Sequence, residues 1–279
     1  MLRSKPILIW NTHMESTSRP EIVFPELLKK AKRRLLQMHY ESQVGHLGGN
    51  LSCIDALLYL HHFVLKKEDL FVLSKGHSAG ALYAVLWSIG KLSDEDLRRF
   101  HRDGSKIAGH PVAGWLPEIP VATGSLGHGF PVAAGMALGK RLQEQTGQIY
   151  CLMSDGEWQE GSNWEALIFA HHNQLCNLTV LIDVNGLQGF GTTTEVASMA
   201  GIPERISAFG VPISTINGHD PKALAEIIEQ TAPCIGPRFI LLNTIKGNGI
   251  SFMENKLEWH YLPMTDVQYS LALQELEAK

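Results

Sequence analysis

The sequence predicts an α/β fold in which a parallel β-sheet carries helices on both faces. Five short apolar or β-branched runs are typical of buried strands, and helical patterns separate them. Strands that alternate with helices favour a parallel sheet, because each parallel connection has to cross over one face of the sheet. No change in composition, internal repeat or low-complexity tract divides the chain. We therefore expect one α/β domain over residues 21–279.

The first hundred residues are predicted to be mainly helical. Leucines and an alanine recur at helical spacing among Lys and Arg over residues 25–41, which indicates an amphipathic helix. A glycine-rich break leads to an apolar helix over residues 51–64. The strand run DLFVLS, residues 69–74, is followed by a helix over residues 79–89. The stretch 93–102 opens with a serine and three acidic residues, which is a typical helix start.

The rest of the chain returns to strand patterns. Residues 103–123 are irregular, contain three prolines, and lead through a glycine-rich loop into an Ala/Gly-rich helix that ends near Glu144. Four strand runs follow, each separated from the next by a helical pattern: QIYCLM (148–153), NLTVLID (177–183), VPISTI (211–216) and RFILLNTI (238–245).

Composition excludes several classes of protein. Hydrophobic residues make up 44% of the 279 and charged residues 19%, which is typical of a globular chain rather than a disordered one. The net charge of -4 favours neither nucleic acid nor an anionic membrane as a partner. No apolar run approaches the ~18 residues that span a bilayer, and the apolar run near the N-terminus is too short for a signal peptide. We expect residues 1–20 to form a flexible arm.

The cysteines favour a reducing compartment. Cys53, Cys151, Cys176 and Cys234 are widely scattered, and no CxxC pair is present. This pattern predicts four reduced, mostly buried thiols rather than a disulfide or a zinc site, and a cytoplasmic protein.

Two polar residues follow neighbouring strand runs in the predicted sheet. Asp155 comes after the run 148–153, and Asn185 comes after the run 177–183. Ligands of open parallel sheets collect at the carboxyl ends of the strands, so both side chains are expected to reach one crevice. Their oxygens, with the carbonyl of Leu187, suit Mg²⁺, which usually takes phosphate oxygens in its other positions. Gly156 allows a phosphate to approach the backbone. The residues therefore predict a magnesium-bridged diphosphate.

The stretch SDGEWQEGSNWEA, continued by NLTVLIDVNGLQ, resembles the thiamine diphosphate motif of transketolases. Further segments are similar to transketolases in the same order, among them VGHLGGNLSCIDAL, FVLSKGHSAGALYAVL, the stretch from GHPVAGW to ALG, and KGNGISFMENKLEWHY. The resemblance begins near Pro25 and extends over almost the whole chain. It implies the thiamine diphosphate-binding fold, with thiamine diphosphate and Mg²⁺ as cofactors. The family motif usually begins with glycine where this chain has Ser154.

The resemblance also implies a set of site residues. Asp155, Asn185 and the Leu187 carbonyl would bind the metal, and Gly156 and Asn185 would contact the diphosphate. Other implied cofactor contacts are His77, His260 and the backbone of Gly124, Ser125 and Leu126. The implied catalytic residues, which would contact hydroxyls of the donor sugar or exchange protons, are His46, His110, His260 and Glu160.

Some residues of these motifs are assigned to packing or to an interface. The family places acids matching Glu160 and Glu165 near the subunit interface, and both also fit solvated positions on a helix. Trp158 and Trp164 are expected to be packing residues.

The resemblance implies a partner. Transketolases carry two further domains, and the glutamate that activates the pyrimidine ring lies outside the segment that this chain matches. We therefore expect the N-terminal subunit of a split transketolase, forming a homodimer within a heterotetramer with a separate subunit that carries the pyrimidine-binding domain. The expected reaction transfers a two-carbon ketol unit between sugar phosphates.

Two alternatives stay open from the sequence. The alpha subunit of a 2-oxoacid or acetoin dehydrogenase also consists of a diphosphate-binding domain, although it lacks this histidine set, which suits polyhydroxy sugars. A non-catalytic subunit that binds thiamine diphosphate belongs to a different class, and the intact metal ligands and histidines disfavour it.

Overall fold

The structure is a computed structural model that describes residues 20–230 and 233–278. Apart from Pro20, the predicted N-terminal arm lies outside the described residues. The strands are β1 (Leu70–Leu73), β2 (Ile149–Ser154), β3 (Leu178–Val184), β4 (Ile213–Asn217) and β5 (Arg238–Asn243). The helices are α1 (Pro20–Ser42), α2 (Leu47–Tyr59), α3 (Ala79–Ser88), α4 (Asp94–Arg98), α5 (Gly129–Leu142), α6 (Gly161–His172), α7 (Thr193–Ala197), α8 (Ile202–Ser207), α9 (Pro221–Glu229) and α10 (Asp266–Glu277).

The five strands form one parallel sheet in the order β1-β2-β3-β5-β4. Each of the five strand runs predicted from the sequence overlaps one of these strands, although β2, β3 and β4 each extend one residue past the predicted run. The predicted α/β class is confirmed. At the carboxyl end of the central pair, Ser154 of β2 lies opposite Asp183 of β3. This register sets the residues that follow β2 beside the residues that follow β3.

Alternate residues of the strands enter two separate cores. On one face, Leu152, Leu181 and Leu242 pack with buried residues of α1, α2, α3, α9 and α10. On the other face, Cys151 and Val180 pack with α5, α6 and α8. Because successive strand residues point to opposite faces, strands that are apolar throughout have to be covered on both sides. This arrangement accounts for the continuous apolar runs in the sequence.

Several helix boundaries differ from the sequence prediction. Helix α1 begins at Pro20, so Pro25 lies inside the helix and not at its start. The helix predicted over residues 93–102 is limited to α4, although Ser93 forms the predicted N-cap through a capping box with Asp96. After α4 the chain turns, and His101 adopts a positive φ of 54°, which does not fit a continuing helix.

Within the described ranges, no helix combines the length and the apolar character needed to cross a bilayer.

The prediction of four reduced cysteines is wrong for two of them. Cys176 and Cys234 form a disulfide with their Cα atoms 5.2 Å apart, whereas Cys53 and Cys151 are free and buried. Cys176 precedes β3 and Cys234 precedes β5, and these two strands are neighbours in the sheet. The pairing of the strands brings together two residues that are 58 positions apart in sequence.

We expect the Cys176–Cys234 disulfide to contribute measurably to stability. Loss of a cross-link over 58 residues in the variant Cys234→Ser should lower the free energy of unfolding by about 2–4 kcal/mol, because the unfolded chain gains conformational entropy. Urea unfolding of the variant and of the oxidised wild type measures this difference. Reductant should destabilise the wild type and leave the variant unchanged. Equal stability of variant and wild type would contradict the prediction.

Candidate active site

A pocket of about 220 Å³ opens at the carboxyl ends of the parallel strands. Residues that follow four different strands line it or lie beneath it: Lys75 after β1, Asp155 after β2, Asn185 after β3 and Lys246 after β5. The predicted residues that line it are His46, His77, His110, Gly124, Leu126, Asp155, Gly156, Asn185, Leu187 and His260. The fold therefore brings most of the predicted site residues into one crevice.

Asp155 is a buried acid of the pocket wall, with 3% of its surface exposed. Its carboxylate accepts hydrogen bonds from the backbone N–H of Gly156 at 2.8 Å and of Gly186 at 2.7 Å. These bonds fix the carboxylate between the turn after β2 and the turn after β3. Burial, together with the neighbouring Asp183 carboxylate, raises the pKa of Asp155 to about 6.

The turn after β3 presents the other two predicted metal ligands. The Asn185 side-chain oxygen accepts a hydrogen bond from the Leu187 N–H at 3.1 Å, which holds the turn. The Leu187 carbonyl accepts a hydrogen bond from the Lys246 ammonium at 3.2 Å. The Gly186 N–H between them bonds to Asp155, so the three predicted ligands belong to one hydrogen-bonded unit.

A fully buried ion pair lies beneath this unit. Lys75 and Asp183 are both completely buried and form a direct salt bridge. Asp183 also accepts hydrogen bonds from the hydroxyls of Ser52, at 2.5 Å, and Thr244. Although burial alone would raise the pKa of Asp183, the Lys75 ammonium and these hydrogen bonds lower it, so the carboxylate stays ionised. Asn185 donates to the same carboxylate at 3.2 Å.

Four predicted histidines form a cluster on the opposite wall. The ring centroid of His46 lies 5.8 Å from that of His77, 6.0 Å from His110 and 5.1 Å from His260. The backbone N–H of His46 donates to the His260 carbonyl at 2.9 Å, which links the start of α2 to a distant turn. Burial is the main cause that lowers the pKa of all four rings, to about 4 for His46 and about 3 for His260. The cluster is therefore neutral at pH 7.

The glycine-rich loop before α5 forms a third wall. Gly124 and Leu126 line the pocket, whereas the side chain of Ser125 is exposed. Gly124 has a φ of +152°, and a Cβ atom there would come within 2.9 Å of the His110 ring. This position requires glycine for both reasons.

The predicted acids Glu160 and Glu165 do not line the pocket. Glu160 is exposed at the start of α6 and packs against Gly127, and Glu165 is exposed on the same helix. The two tryptophans are packing residues as predicted: Trp158 is fully buried, and the Trp164 indole N–H donates to the Trp158 carbonyl at 2.9 Å.

Sequence reasoning missed two polar groups of the pocket and the ion pair beneath it. The Lys246 ammonium lies 2.9 Å from the His260 ring, and burial and Lys75 lower the pKa of Lys246 to about 8. Gln188 lines the pocket with a buried side-chain N–H₂ group that has no hydrogen-bond partner among the described residues. Lys75 and Asp183 stand beside His77 and Asn185 in sequence. The position of Lys75 and Asp183, each two residues from one of those motif residues, is the sequence signal that could have identified the pair.

The donor set fits a hard cation together with an anion. In the described part of the chain, no group of three or more His, Cys, Asp or Glu side chains could hold a metal. The predicted ligands are a different kind of set, which consists of the Asp155 carboxylate, the Asn185 amide oxygen and the Leu187 carbonyl. Oxygen atoms of these kinds are ligands of Mg²⁺. The unpartnered Gln188 amide and the Lys246 ammonium are donors for an anion in the same pocket.

Comparison with known proteins identifies relatives over most of the chain. The family model for the thiamine diphosphate-binding domain of transketolase matches residues 34–276. One of the subunits of an apulose-4-phosphate transketolase from Actinobacillus succinogenes is 35% identical over 267 residues, which cover 91% of this chain and 97% of that protein. A 6-deoxy-6-sulfo-D-fructose transketolase subunit of a Clostridium species is 37% identical over 244 residues, 84% of this chain and 89% of that protein.

Solved structures show the same fold within longer chains. Transketolase from Campylobacter jejuni superimposes with a TM-score of 0.81 at 28% identity, covering 91% of this chain and 42% of that one. A transketolase variant from Pichia stipitis, in complex with fructose 6-phosphate, gives a TM-score of 0.83 at 26% identity and is covered over 41% of its length. This chain therefore spans less than half the length of these two transketolase chains.

We expect the loss of one partner of the buried ion pair to destabilise the fold strongly. Asp183→Asn leaves the Lys75 ammonium buried without a counter-ion and should lower the free energy of unfolding by about 3–5 kcal/mol. The control Ser52→Ala removes one hydrogen bond to the same carboxylate and should cost only about 1–3 kcal/mol. Chemical unfolding measures both variants, and Lys75→Met combined with Asp183→Asn should recover part of the loss. Wild-type stability of Asp183→Asn would refute the role of the pair.

Proposed function

Because this chain belongs to the transketolase family, we propose that it is the diphosphate-binding subunit of a two-chain transketolase. The proposed reaction transfers a two-carbon ketol unit from a ketose to an aldose. The observation that carries the proposal is the convergence of Asp155, Asn185 and the Leu187 carbonyl with four neutral histidines in one pocket. The transketolase relatives favour this reaction over that of a 2-oxoacid dehydrogenase.

Asp155, Asn185 and the Leu187 carbonyl would hold Mg²⁺, and the metal would bind the diphosphate of thiamine diphosphate. Lys246 and the Gln188 amide would contact diphosphate oxygens, since both are donors directed into the same pocket. When bound, thiamine diphosphate supplies a carbanion that cleaves and forms the carbon–carbon bond next to a sugar carbonyl. The Leu187 carbonyl has two lone pairs, so it could bind the metal with one and accept from Lys246 with the other.

The histidines would hold the donor sugar. His46, His110 and His260 are neutral at pH 7. The rings of His46 and His110 each offer one donor and one acceptor to sugar hydroxyls, whereas His260 accepts from Lys246 at Nδ1 and offers its Nε2 N–H. A neutral imidazole can also accept a proton from a hydroxyl and return it later. His77 would lie beside the diphosphate. Glu160, which lies outside the pocket, would act only through a subunit interface.

A partner subunit would complete the site. Phe190 and Tyr261 line the pocket, Leu262 is the next residue along the chain, and all three large apolar side chains are at least half exposed. Two relatives, from Actinobacillus succinogenes and Phocaeicola vulgatus, are named as single subunits of a transketolase, which implies a second chain in those enzymes. We propose that a separate subunit with the pyrimidine-binding domain covers this rim and provides the acid that activates the pyrimidine ring.

A second apolar surface supports self-association. Val132 of α5 and Ile168 and Phe169 of α6 are 41%, 54% and 40% exposed, and α5 and α6 pack side by side. Exposed apolar patches of this kind mark interaction surfaces. With Glu165 on the same helix, this face would form the contact between two copies of the chain within a heterotetramer.

The proposal for the sugar substrate names a chemical class and not a single compound. The relatives act on apulose 4-phosphate and on 6-deoxy-6-sulfo-D-fructose, as their names state. Both names indicate ketoses with an anionic group. We propose an anionic ketose as the donor here.

Cofactor binding should depend on Asp155. Asp155→Ala removes the only charged ligand proposed for the metal, so Mg²⁺-dependent binding of thiamine diphosphate should be lost. Calorimetry with and without Mg²⁺ measures this. The control Asp220→Ala removes an acid that caps α9 outside the pocket and should bind like the wild type. Unchanged affinity of Asp155→Ala would overturn the metal assignment.

Activity should require both subunits. We expect no ketol transfer by the purified chain, and turnover after mixing with its pyrimidine-domain partner. The measurement is transfer to ribose 5-phosphate from xylulose 5-phosphate and, in parallel, from apulose 4-phosphate. Turnover with one donor only identifies the substrate and leaves the mechanism unchanged. Robust turnover by this chain alone would contradict the two-chain proposal.

A further inference from the structure

A second group of imidazoles lies behind the pocket. A cavity of about 60 Å³ is lined by five histidines, His39, His46, His77, His101 and His110. Three of them, His46, His77 and His110, also line the active-site pocket. His39 and His101 have no role in the function proposed above. We name this cavity the imidazole chamber.

His39 presents an unsatisfied atom to the imidazole chamber. Its side chain is 2% exposed, and the ring packs on Phe100 with the centroids 5.2 Å apart. Nδ1 lies 3.3 Å from the Val44 carbonyl, which can only accept, so Nδ1 carries the proton. Nε2 is then a buried acceptor without a partner in the part of the chain that the structure describes. Burial lowers the pKa of His39 to about 4, which keeps this acceptor free at pH 7.

The backbone makes room for this atom. A Cβ at Gly80 would collide with Nε2 of His39, so the glycine leaves the approach to the ring open. Buried polar atoms are normally paired with protein or with ordered water. No protein group pairs with this one in the described residues, and the cavity beside it is lined by histidine rings as well as by apolar groups such as Phe100 and Val44.

The other rings of the chamber also have unused nitrogens. In the described part of the chain, the rings of His46, His77, His101 and His110 make no hydrogen bond to a protein group. A water molecule occupies about 30 Å³ in the liquid and needs two to four polar partners when it is buried. The chamber provides the volume of about two waters and five imidazoles to bind them.

We propose that the imidazole chamber binds ordered water, which donates to His39 Nε2 and fixes the tautomers of His46, His77 and His110. His39 is then a positioning residue, because it acts on the reacting groups through water. This consequence for catalysis rests on the function proposed above, whereas the water site itself does not. His101 is exposed and gives the chamber a border at the surface.

The first test is a high-resolution crystal structure of the chain. We expect one or two water molecules in the chamber, one of them within about 2.7–3.2 Å of His39 Nε2. A dry chamber would overturn the proposal. This measurement needs neither cofactor nor partner, so failure of the wild type to bind thiamine diphosphate would count only against the proposed function.

The second test compares variants by ¹⁵N NMR of the histidine rings, which reports the tautomer of each ring. His39→Leu removes the acceptor, and we expect the rings of His46 and His110 to lose their single tautomer. His39→Gln keeps an acceptor oxygen at the chamber and should preserve it. His62→Leu makes the same change at a ring that bonds to Ser88 outside the chamber and should have no effect. Unchanged tautomers in His39→Leu would refute the positioning role, and if that variant does not fold, the crystal structure decides.

Discussion

The buried ion pair of Lys75 and Asp183 is the interaction on which the candidate site depends. Lys75 follows β1 and Asp183 belongs to β3, so the pair joins strands that lie on either side of β2. The same ammonium donates to the Gly49 carbonyl of α2 at 3.1 Å, and the same carboxylate accepts from Thr244, which follows β5. Each of these elements also presents a residue of the pocket. A charge pair of this kind is costly to bury and tolerates the loss of neither partner, which restricts the loops to one arrangement.

The fixed charges of the pocket balance before any ligand binds. Asp155 and Asp183 contribute two negative charges, and Lys75 and Lys246 contribute two positive charges. The histidines add none, because burial keeps them neutral. A diphosphate would therefore introduce a large negative charge into a balanced site, and a divalent cation held by Asp155 would offset it. This charge balance supports the proposal that metal and diphosphate bind together.

The polar groups of the pocket fall into two sets that differ in their hydrogen-bond partners. The hydroxyl, carboxylate and amide groups beneath Asn185 bond to one another and hold the turn, as the contacts of Asp183 show. The histidine rings on the other wall have few protein partners, which leaves their nitrogens available to sugar hydroxyls or water. The hydrogen-bonded residues beneath Asn185 form a rigid part of the site, which suits a constant group of the ligand. The free donors and acceptors of the histidines suit a group that varies between substrates. This division is consistent with relatives that act on different sugars.

Local pattern in the sequence determined the five strands, most helices and the residues that end up in the pocket. Apolar runs specify strands buried on both faces, and the positions of Asp155 and Asn185 after two strands predict a shared site, because these signals depend on near neighbours. The histidines were identified by the resemblance to transketolases. Tertiary structure alone decided that Cys176 meets Cys234, that Lys75 neutralises Asp183, that Glu160 lies outside the pocket and that His39 reaches the imidazole chamber. Each of these depends on the strand order β1-β2-β3-β5-β4, which brings residues far apart in sequence into contact. Strand order results from packing of whole elements, and no short stretch of sequence encodes it.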